Sequence, residues 1–166
     1  MRLMARSSIG DAQRPAALEK MSRLVRLLSF AITDVQTVWA DKLRLSVPQW
    51  NILAVISEFD DDVGISVKSV AELLRTEATF ITVQSKTLAA RGLLQRRSRN
   101  ADKRLVHLSL TPKAREQLDL LAEKRSAVDA LIKQEYGEVG TLRVIELLED
   151  VEDCLRRCRK RLQLDE

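Results

Sequence analysis

The most distinctive chemical feature of this 166-residue chain is a cluster of basic residues near its middle. Between Lys86 and Arg104 the sequence has seven lysines and arginines and one acid, Asp102, so this segment carries a charge of +6. The whole chain carries only +4, which leaves −2 for all other residues. Concentrated positive charge is typical of a surface that binds nucleic-acid phosphates. The alternative, which an isolated cluster would favour, is a solvated charged face.

A second candidate for chemistry is the pair Cys154 and Cys158, which are four residues apart in a basic stretch. Basic neighbours can activate a thiol, so the pair is a candidate redox sensor, and the alternative is a structural role in a core or an interface. The sequence has one histidine, no second cysteine pair and no glycine-rich phosphate loop. We therefore predict no metal site, no cofactor and no enzymatic activity.

The composition predicts a folded and mostly helical protein. Hydrophobic residues make up 45% of the chain and aromatic residues 4%, with five glycines and three prolines. No segment approaches the roughly 20 apolar residues of a membrane span, and the N-terminus lacks the apolar run of a secretory signal. Two cysteines are too few for a disulfide scaffold, which is typical of a reducing compartment. We expect a cytoplasmic protein with no membrane partner.

The spacing of apolar residues predicts the elements that must position the basic cluster. Residues 1–14 lack periodicity and are expected to form a flexible arm. Six helices are predicted, at residues 15–43, 46–57, 66–74, 77–91, 112–136 and 141–162. The third and fourth make a helix-turn-helix candidate. Alternating residues 106–110, preceded by turn chemistry at 100–102, predict a β-hairpin with a basic tip.

Apolar stripes on the first and last predicted helices have no evident partner inside a compact helix-turn-helix module. The first stripe runs from Leu18 to Trp39, and the last runs from Leu142 to Leu162. Long helices with such stripes need another surface to bury them. The aromatic residues Trp39, Trp50 and Phe30 are expected to serve mainly as core side chains.

The segment from Leu45 to Thr111 resembles the winged helix-turn-helix of the MarR family of bacterial transcriptional regulators. The matching residues are Leu45-Ser46, Gln49-Trp50, Ile52-Leu53, Ser66, Val70 to Leu74, Thr79, Ile81-Thr82, Leu88, Arg91 to Leu94, Asp102 to Arg104 and Leu108 to Thr111. The flanking helices also fit in order and length, so the resemblance covers about residues 16–163.

The resemblance implies a mostly α fold with a small β-hairpin wing and long dimerisation helices. The winged helix-turn-helix lobe would comprise residues 45–111, and the helical dimerisation region residues 15–44 and 112–166. The family also implies a homodimer, in which interleaved N- and C-terminal helices would bury the two apolar stripes.

The fourth predicted helix would then be the recognition helix in the major groove of DNA. Opposite its core face, a helical wheel places residues that can bond base edges or phosphates, or contact a thymine methyl. The predicted contacts are four residues of this face and one residue on its flank: Thr79, Thr82, Val83 and Lys86, and Gln84. The alternative is that several of these side chains only cover the surface. Many family members have arginine at the position of Val83 and an apolar residue at the position of Gln84. Because this chain differs at both positions, the DNA sequence that it would bind stays open.

In the wing, Lys103 and Arg104 are expected to enter the minor groove or to hold its phosphates. The resemblance suggests that Asp102 orients a wing arginine through an ion pair. The other wing arginines are expected to contact phosphates, which adds affinity without sequence information. These residues are Arg96, Arg97 and Arg99.

The sequence thus predicts a homodimeric, sequence-specific regulator that binds double-stranded DNA, with repression as the expected sign of regulation. Family members often bind aromatic acids or other small effectors beside the dimerisation helices, which makes Trp39 and Trp50 candidates for an effector pocket. The alternative is a winged-helix module for protein interaction or DNA architecture, without a specific operator.

Overall fold

The structure is a computed structural model, and it describes residues 17–59, 64–98 and 106–164. The elements, in chain order, are α1 (Ala17–Lys42), α2 (Val47–Glu58), β1 (Ile65–Ser66), α3 (Val67–Leu73), α4 (Ala78–Ala90), β2 (Leu94–Ser98), β3 (Val106–Leu110) and α5 (Pro112–Leu164). The predicted mostly α fold with a small β wing is confirmed. The predicted arm at residues 1–14 and the hairpin tip lie outside the described residues.

The chain packs as two compact units that divide between Arg115 and Glu116. Helix α1 falls in the first unit, together with the helix-turn-helix and the sheet. The assignment of α1 and α5 to one dimerisation region stays a prediction. None of the described helices has the length and apolar character that crossing a membrane requires.

Local capping signals explain where the helices of the first unit begin. The hydroxyl of Ser46 accepts from the backbone N–H of Gln49, and the backbone N–H of Ser46 donates to Oε1 of Gln49, which forms a complete capping box. At the start of α5, the hydroxyl of Thr111 accepts from the N–H of Ala114 at 3.1 Å. Both starts were predicted from the sequence.

The three strands form one antiparallel sheet in the order β1-β3-β2. In the ladder between β2 and β3, Leu94 lies opposite Leu110, and Arg96 lies opposite Leu108. Because side chains alternate along a strand, these four share one face of the sheet, and this face packs on the core. The two-residue strand β1 was not predicted, since it is too short to show a period.

The core of the first unit lies between α2, α3, α4 and the sheet. Its completely buried side chains are Ile52, Leu53, Ile56, Val70, Ile81, Ser85, Leu88 and Leu108. Trp50 is only 4% exposed, in agreement with a core role. The prediction for Phe30 was wrong, because this side chain is 63% exposed on α1.

Helix α5 is interrupted at Gly137, where the backbone has φ 70° and ψ 168°. The sequence predicted a division near this residue, but helical geometry resumes directly after it rather than at Thr141. On both sides of the interruption, large apolar side chains are exposed in the single chain, including Leu131, Ile132, Leu142, Ile145 and Leu148. The apolar stripe of α1 is exposed as well, at Leu24, Leu28, Ile32 and Val35.

Gly64 provides a stability test of the sheet, because it lies against the middle of β3. Its φ is +70°, and a Cβ placed there would be 2.7 Å from the carbonyl oxygen of Leu108. We expect Gly64→Ala to lower the free energy of unfolding by about 3 kcal/mol, since left-handed strain and a backbone clash add together. Gly92→Ala is the matched control, because Gly92 has the same φ but open space around it, and it should cost about 1 kcal/mol. If urea denaturation showed the same loss of unfolding free energy for both variants, the backbone would have moved to relieve the clash at residue 64.

Candidate DNA-binding surface

Helix α4 has one face fixed in the core and the opposite face open to solvent. Ile81, Ser85 and Leu88 are completely buried on the inner face. The exposed outer face carries Thr79, Phe80, Val83, Lys86 and Thr87. This arrangement agrees with the predicted recognition helix, since a helix anchored along one side can present the other to a groove.

The predicted contacts on α4 are not equally accessible. Thr79, Val83 and Lys86 are exposed, whereas Thr82 and Gln84 are half-buried. Two further residues are exposed on the outer face and are not among the predicted contacts, Phe80 and Thr87. Phe80 is three residues before Val83, and Thr87 is four residues after it, so helical spacing alone could have identified both.

Gln84 is half-buried because it contacts the start of α2. Its Oε1 accepts a hydrogen bond from Nε2 of Gln49 at 3.1 Å. The backbone of Thr82 is hydrogen-bonded as well, because its carbonyl accepts from the hydroxyl of Ser85 at 3.1 Å.

Arg96 points toward the inner face of α4. Its Nη1 donates to the hydroxyl of the buried Ser85 and, at 3.4 Å, to the carbonyl of Thr82. These bonds give Arg96 an intramolecular role that the sequence reasoning missed, while its phosphate contact stays a prediction. The alternation of the strand was a usable signal, because Arg96 shares a face with the buried Leu94.

Arg97 lies on the other face of β2 and is exposed. Its Nη2 donates to Oε1 of Gln95 at 2.9 Å, which orients the guanidinium along the outside of the sheet. Its position is compatible with the predicted phosphate contact. The other predicted wing residues lie outside the described residues, and their roles stay predictions: Arg99, Asp102, Lys103 and Arg104.

Arg91, part of the basic cluster, holds the C-terminal end of α4 against the segment that connects α1 to α2. Its guanidinium donates to the carbonyls of Arg44 and Leu43, at 2.8 and 2.9 Å. Nearby, the hydroxyl of Thr111 donates to the carbonyl of Gly92 at 2.7 Å, which ties the same end of α4 to the start of α5. The end of α4 is therefore fixed to the helices on both sides of the lobe.

The predicted effector and redox residues occupy different parts of the fold. Trp50 is buried in the core and Trp39 is half-buried on α1, and their role in a pocket stays a prediction. Cys154 and Cys158 are exposed free thiols that line one hollow of about 420 Å³ together with the basic residues Arg157, Lys160 and Arg161.

A disulfide within this helix would require distortion. Residues four apart on a helix have Cβ atoms about 5–6 Å apart, whereas a disulfide needs about 3.5–4.5 Å. The guanidinium of the neighbouring Arg156 is turned to Glu152 and Asp153, and the hydrogen bond with Glu152 raises the pKa of Arg156. The redox role of the two cysteines stays a prediction.

Comparison with known families identifies the lobe. The sequence model of the MarR family matches residues 45–106, a range that begins just before α2 and ends at the start of β3. Residues 45–106 belong to the MarR family. A comparison with curated protein sequences finds no significant match.

Solved structures show that the fold around this MarR-family domain is shared as well. A MarR protein from Peptoclostridium difficile has a TM-score of 0.72 and 21% identity, over 92% of this chain and 96% of that chain. MepR of S. aureus, solved as a complex with DNA, has a TM-score of 0.69 and 14% identity, over 80% of this chain and 96% of that chain. The regulator BldR of Sulfolobus solfataricus has a TM-score of 0.58 and 24% identity, over 86% and 99%. These likenesses establish the fold.

The two adjacent arginines of β2 are expected to respond differently to truncation. Arg96→Met should lower the free energy of unfolding by about 2 kcal/mol, because the buried hydroxyl of Ser85 loses a charged donor. Arg97→Met, which removes the same charge from an exposed position, should change stability by less than about 0.5 kcal/mol. Chemical denaturation of both variants measures the difference. Equal stabilities would contradict the anchoring role of Arg96.

Proposed function

We propose that this protein is a homodimeric transcriptional regulator that inserts α4 into the major groove of a specific double-stranded DNA site. The observation that carries the proposal is the outer face of α4, which is exposed while the opposite face is completely buried at Ile81, Ser85 and Leu88. Such a helix has a fixed backbone position, so its exposed side chains start from defined points, as direct reading of base edges requires.

The chemistry of the outer face supports a DNA ligand. Lys86 offers an ammonium group to guanine or phosphate, and Thr79 offers a hydroxyl group. Val83 supplies an apolar surface of the kind that contacts a thymine methyl. On the adjacent strand β2, the exposed Arg97 adds a positive charge for the sugar-phosphate backbone.

The exposed apolar stripes support a second copy of the chain as the partner. Four stripe residues of α1, from Leu24 to Val35, are each more than two fifths exposed, and α5 carries a comparable set. Contiguous apolar surface of this kind marks an interaction site. A two-fold dimer would place two copies of α4 on half-sites about one DNA turn apart.

Effector control and repression complete the proposal. Trp39, three residues before the end of α1, is a candidate contact for an aromatic acid or another small molecule. Arg91 joins Leu43 and Arg44, directly after α1, to the end of α4, so a ligand that displaces this segment would also displace the recognition helix. Reduced DNA affinity in the ligand-bound state would release a repressed promoter.

Salt titration of Lys86→Met tests the DNA interface. With a DNA site selected by the wild-type protein, fluorescence anisotropy should show at least a fivefold loss of affinity. If Lys86 binds a phosphate, the slope of log affinity against log salt should decrease by about 0.9. Lys124→Met removes the same charge from an exposed position on α5 and should leave both quantities unchanged. No DNA binding by the wild-type protein at low salt would favour the protein-interaction alternative.

Sedimentation of Leu28→Asp tests the dimer. A charge in the middle of the α1 stripe should shift the protein from dimer to monomer, because burying an unpaired carboxylate in an apolar interface is unfavourable. Thr33→Asp adds the same charge to α1 outside the stripe and should leave the dimer intact. Equal dimer fractions in the two variants would place the interface elsewhere.

A further inference from the structure

Gln84, one of the predicted base contacts of α4, is hydrogen-bonded to a side chain of another helix. Its Oε1 accepts from Nε2 of Gln49, a residue 35 positions earlier in the chain. Gln84 is one residue after Val83 and three before Thr87, so it lies at the edge of the exposed face of α4. At this edge, the amide can bond Gln49 with one end and offer its other end to a ligand.

The direction of this contact is set by the capping box of α2. The backbone N–H of Ser46 can only donate, and it donates to Oε1 of Gln49 at 3.3 Å. The other end of the Gln49 amide, Nε2, must therefore face Gln84, and an amide nitrogen can only donate. It follows that Gln84 presents Oε1 to Gln49. Because the backbone N–H of Ser46 can only donate, it decides which end of the Gln49 amide is the oxygen, and through Gln49 it decides the same for Gln84. Without such a partner, the oxygen and nitrogen ends of an amide cannot be told apart.

We propose that Gln49 makes Gln84 a donor-only reader of DNA bases. A free glutamine reads adenine with two groups, since its oxygen accepts from N6 while its nitrogen donates to N7. In this protein the bond from Gln49 uses one lone pair of the oxygen and holds that end of the amide against α2, so the N–H groups of Nε2 are the end presented to the groove. The favoured targets are guanine, which has acceptors at both O6 and N7, and thymine through O4, whereas adenine keeps only its N7 acceptor and loses the partner for its N6 amino group.

This inference rests on the proposed function and makes one expectation from the sequence more specific, since the sequence predicted Gln84 only as a flanking contact of the recognition helix. It also gives Gln49 a role that does not require contact with DNA. Gln49 is a positioning residue, because it sets which end of the Gln84 amide faces the groove. Sequence specificity would thus depend on a residue at the start of α2, outside the recognition helix.

Gln49→Glu inverts the proposed polarity and should leave the fold intact. Glutamate at this position still accepts from the N–H of Ser46, as in the common Ser-x-x-Glu capping box. Its second oxygen can only accept, so the Gln84 amide must turn and donate through Nε2, which leaves Oε1 for the groove. In selection from a random DNA pool, the preference at one base position should shift at least fivefold, from guanine or thymine toward adenine or cytosine.

Two further variants provide the controls. Gln49→Met removes the amide that holds Gln84, so the freed Gln84 amide can use both of its ends and the preference at the same position should shift toward adenine. Gln84→Glu, in the wild-type background, still accepts from Gln49 and presents only acceptor oxygens, so it should favour cytosine even if a Gln49 variant fails to fold. Thermal denaturation by circular dichroism establishes which variants are folded.

The outcomes separate this inference from the proposed function. If the wild-type protein selects no DNA sequence, the proposed function is wrong and the inference falls with it. If the wild-type protein selects a site and the folded variants select the same bases, only the inference is overturned. A uniform loss of affinity with an unchanged base profile also overturns it, because Gln84 would then contact a phosphate rather than a base.

Discussion

The burial of one face of α4 is the constraint on which the rest of the proposed surface depends. Ile81 and Leu88 fill the core, and between them lies Ser85, a polar side chain with no exposed surface. A buried hydroxyl is unfavourable unless it is hydrogen-bonded. Ser85 meets this requirement by donating to the carbonyl of Thr82 and accepting from Arg96. The position of α4 is therefore coupled to that of β2 through a polar contact inside an apolar layer.

Further contacts hold α4 along its length. Near its middle, Gln84 bonds Gln49 at the start of α2. At its C-terminal end, Arg91 bonds two carbonyls directly after α1, and the adjoining Gly92 bonds Thr111 at the start of α5. The helix proposed to read DNA is thus joined to three other helices. In the proposed function, a change in any of them would alter how α4 is presented and would couple an effector to DNA affinity.

The basic cluster serves two purposes rather than one. Four of its seven cations lie in the described residues. Two of them, Arg91 and Arg96, donate hydrogen bonds from their guanidinium groups to other parts of the same chain. Lys86 and Arg97 remain exposed and are available to phosphates. All four still contribute to a positive potential that would attract DNA in the proposed function, because charge acts over about a Debye length and not only at contact. Individual contacts, however, are expected only from the exposed members.

The sequence by itself determined several helix boundaries and the division of α4 into a buried and an exposed face, because both follow from local signals. Ser46-Val47-Pro48, Thr111-Pro112 and Gly92 mark helix ends through caps and a left-handed residue, and the 3.6-residue period separates the inner from the outer face of α4. Only the tertiary structure decided what the charged and amide side chains near that face do. Arg96 turns inward because the register of β2 against β3 places it over the core, and Gln84 is engaged because α2 brings Gln49 to it from 35 residues away. The alternation of β2 indicates the face on which Arg96 lies, but the partners Ser85 and Gln49 have no local signature, since each contact depends on which elements pack together.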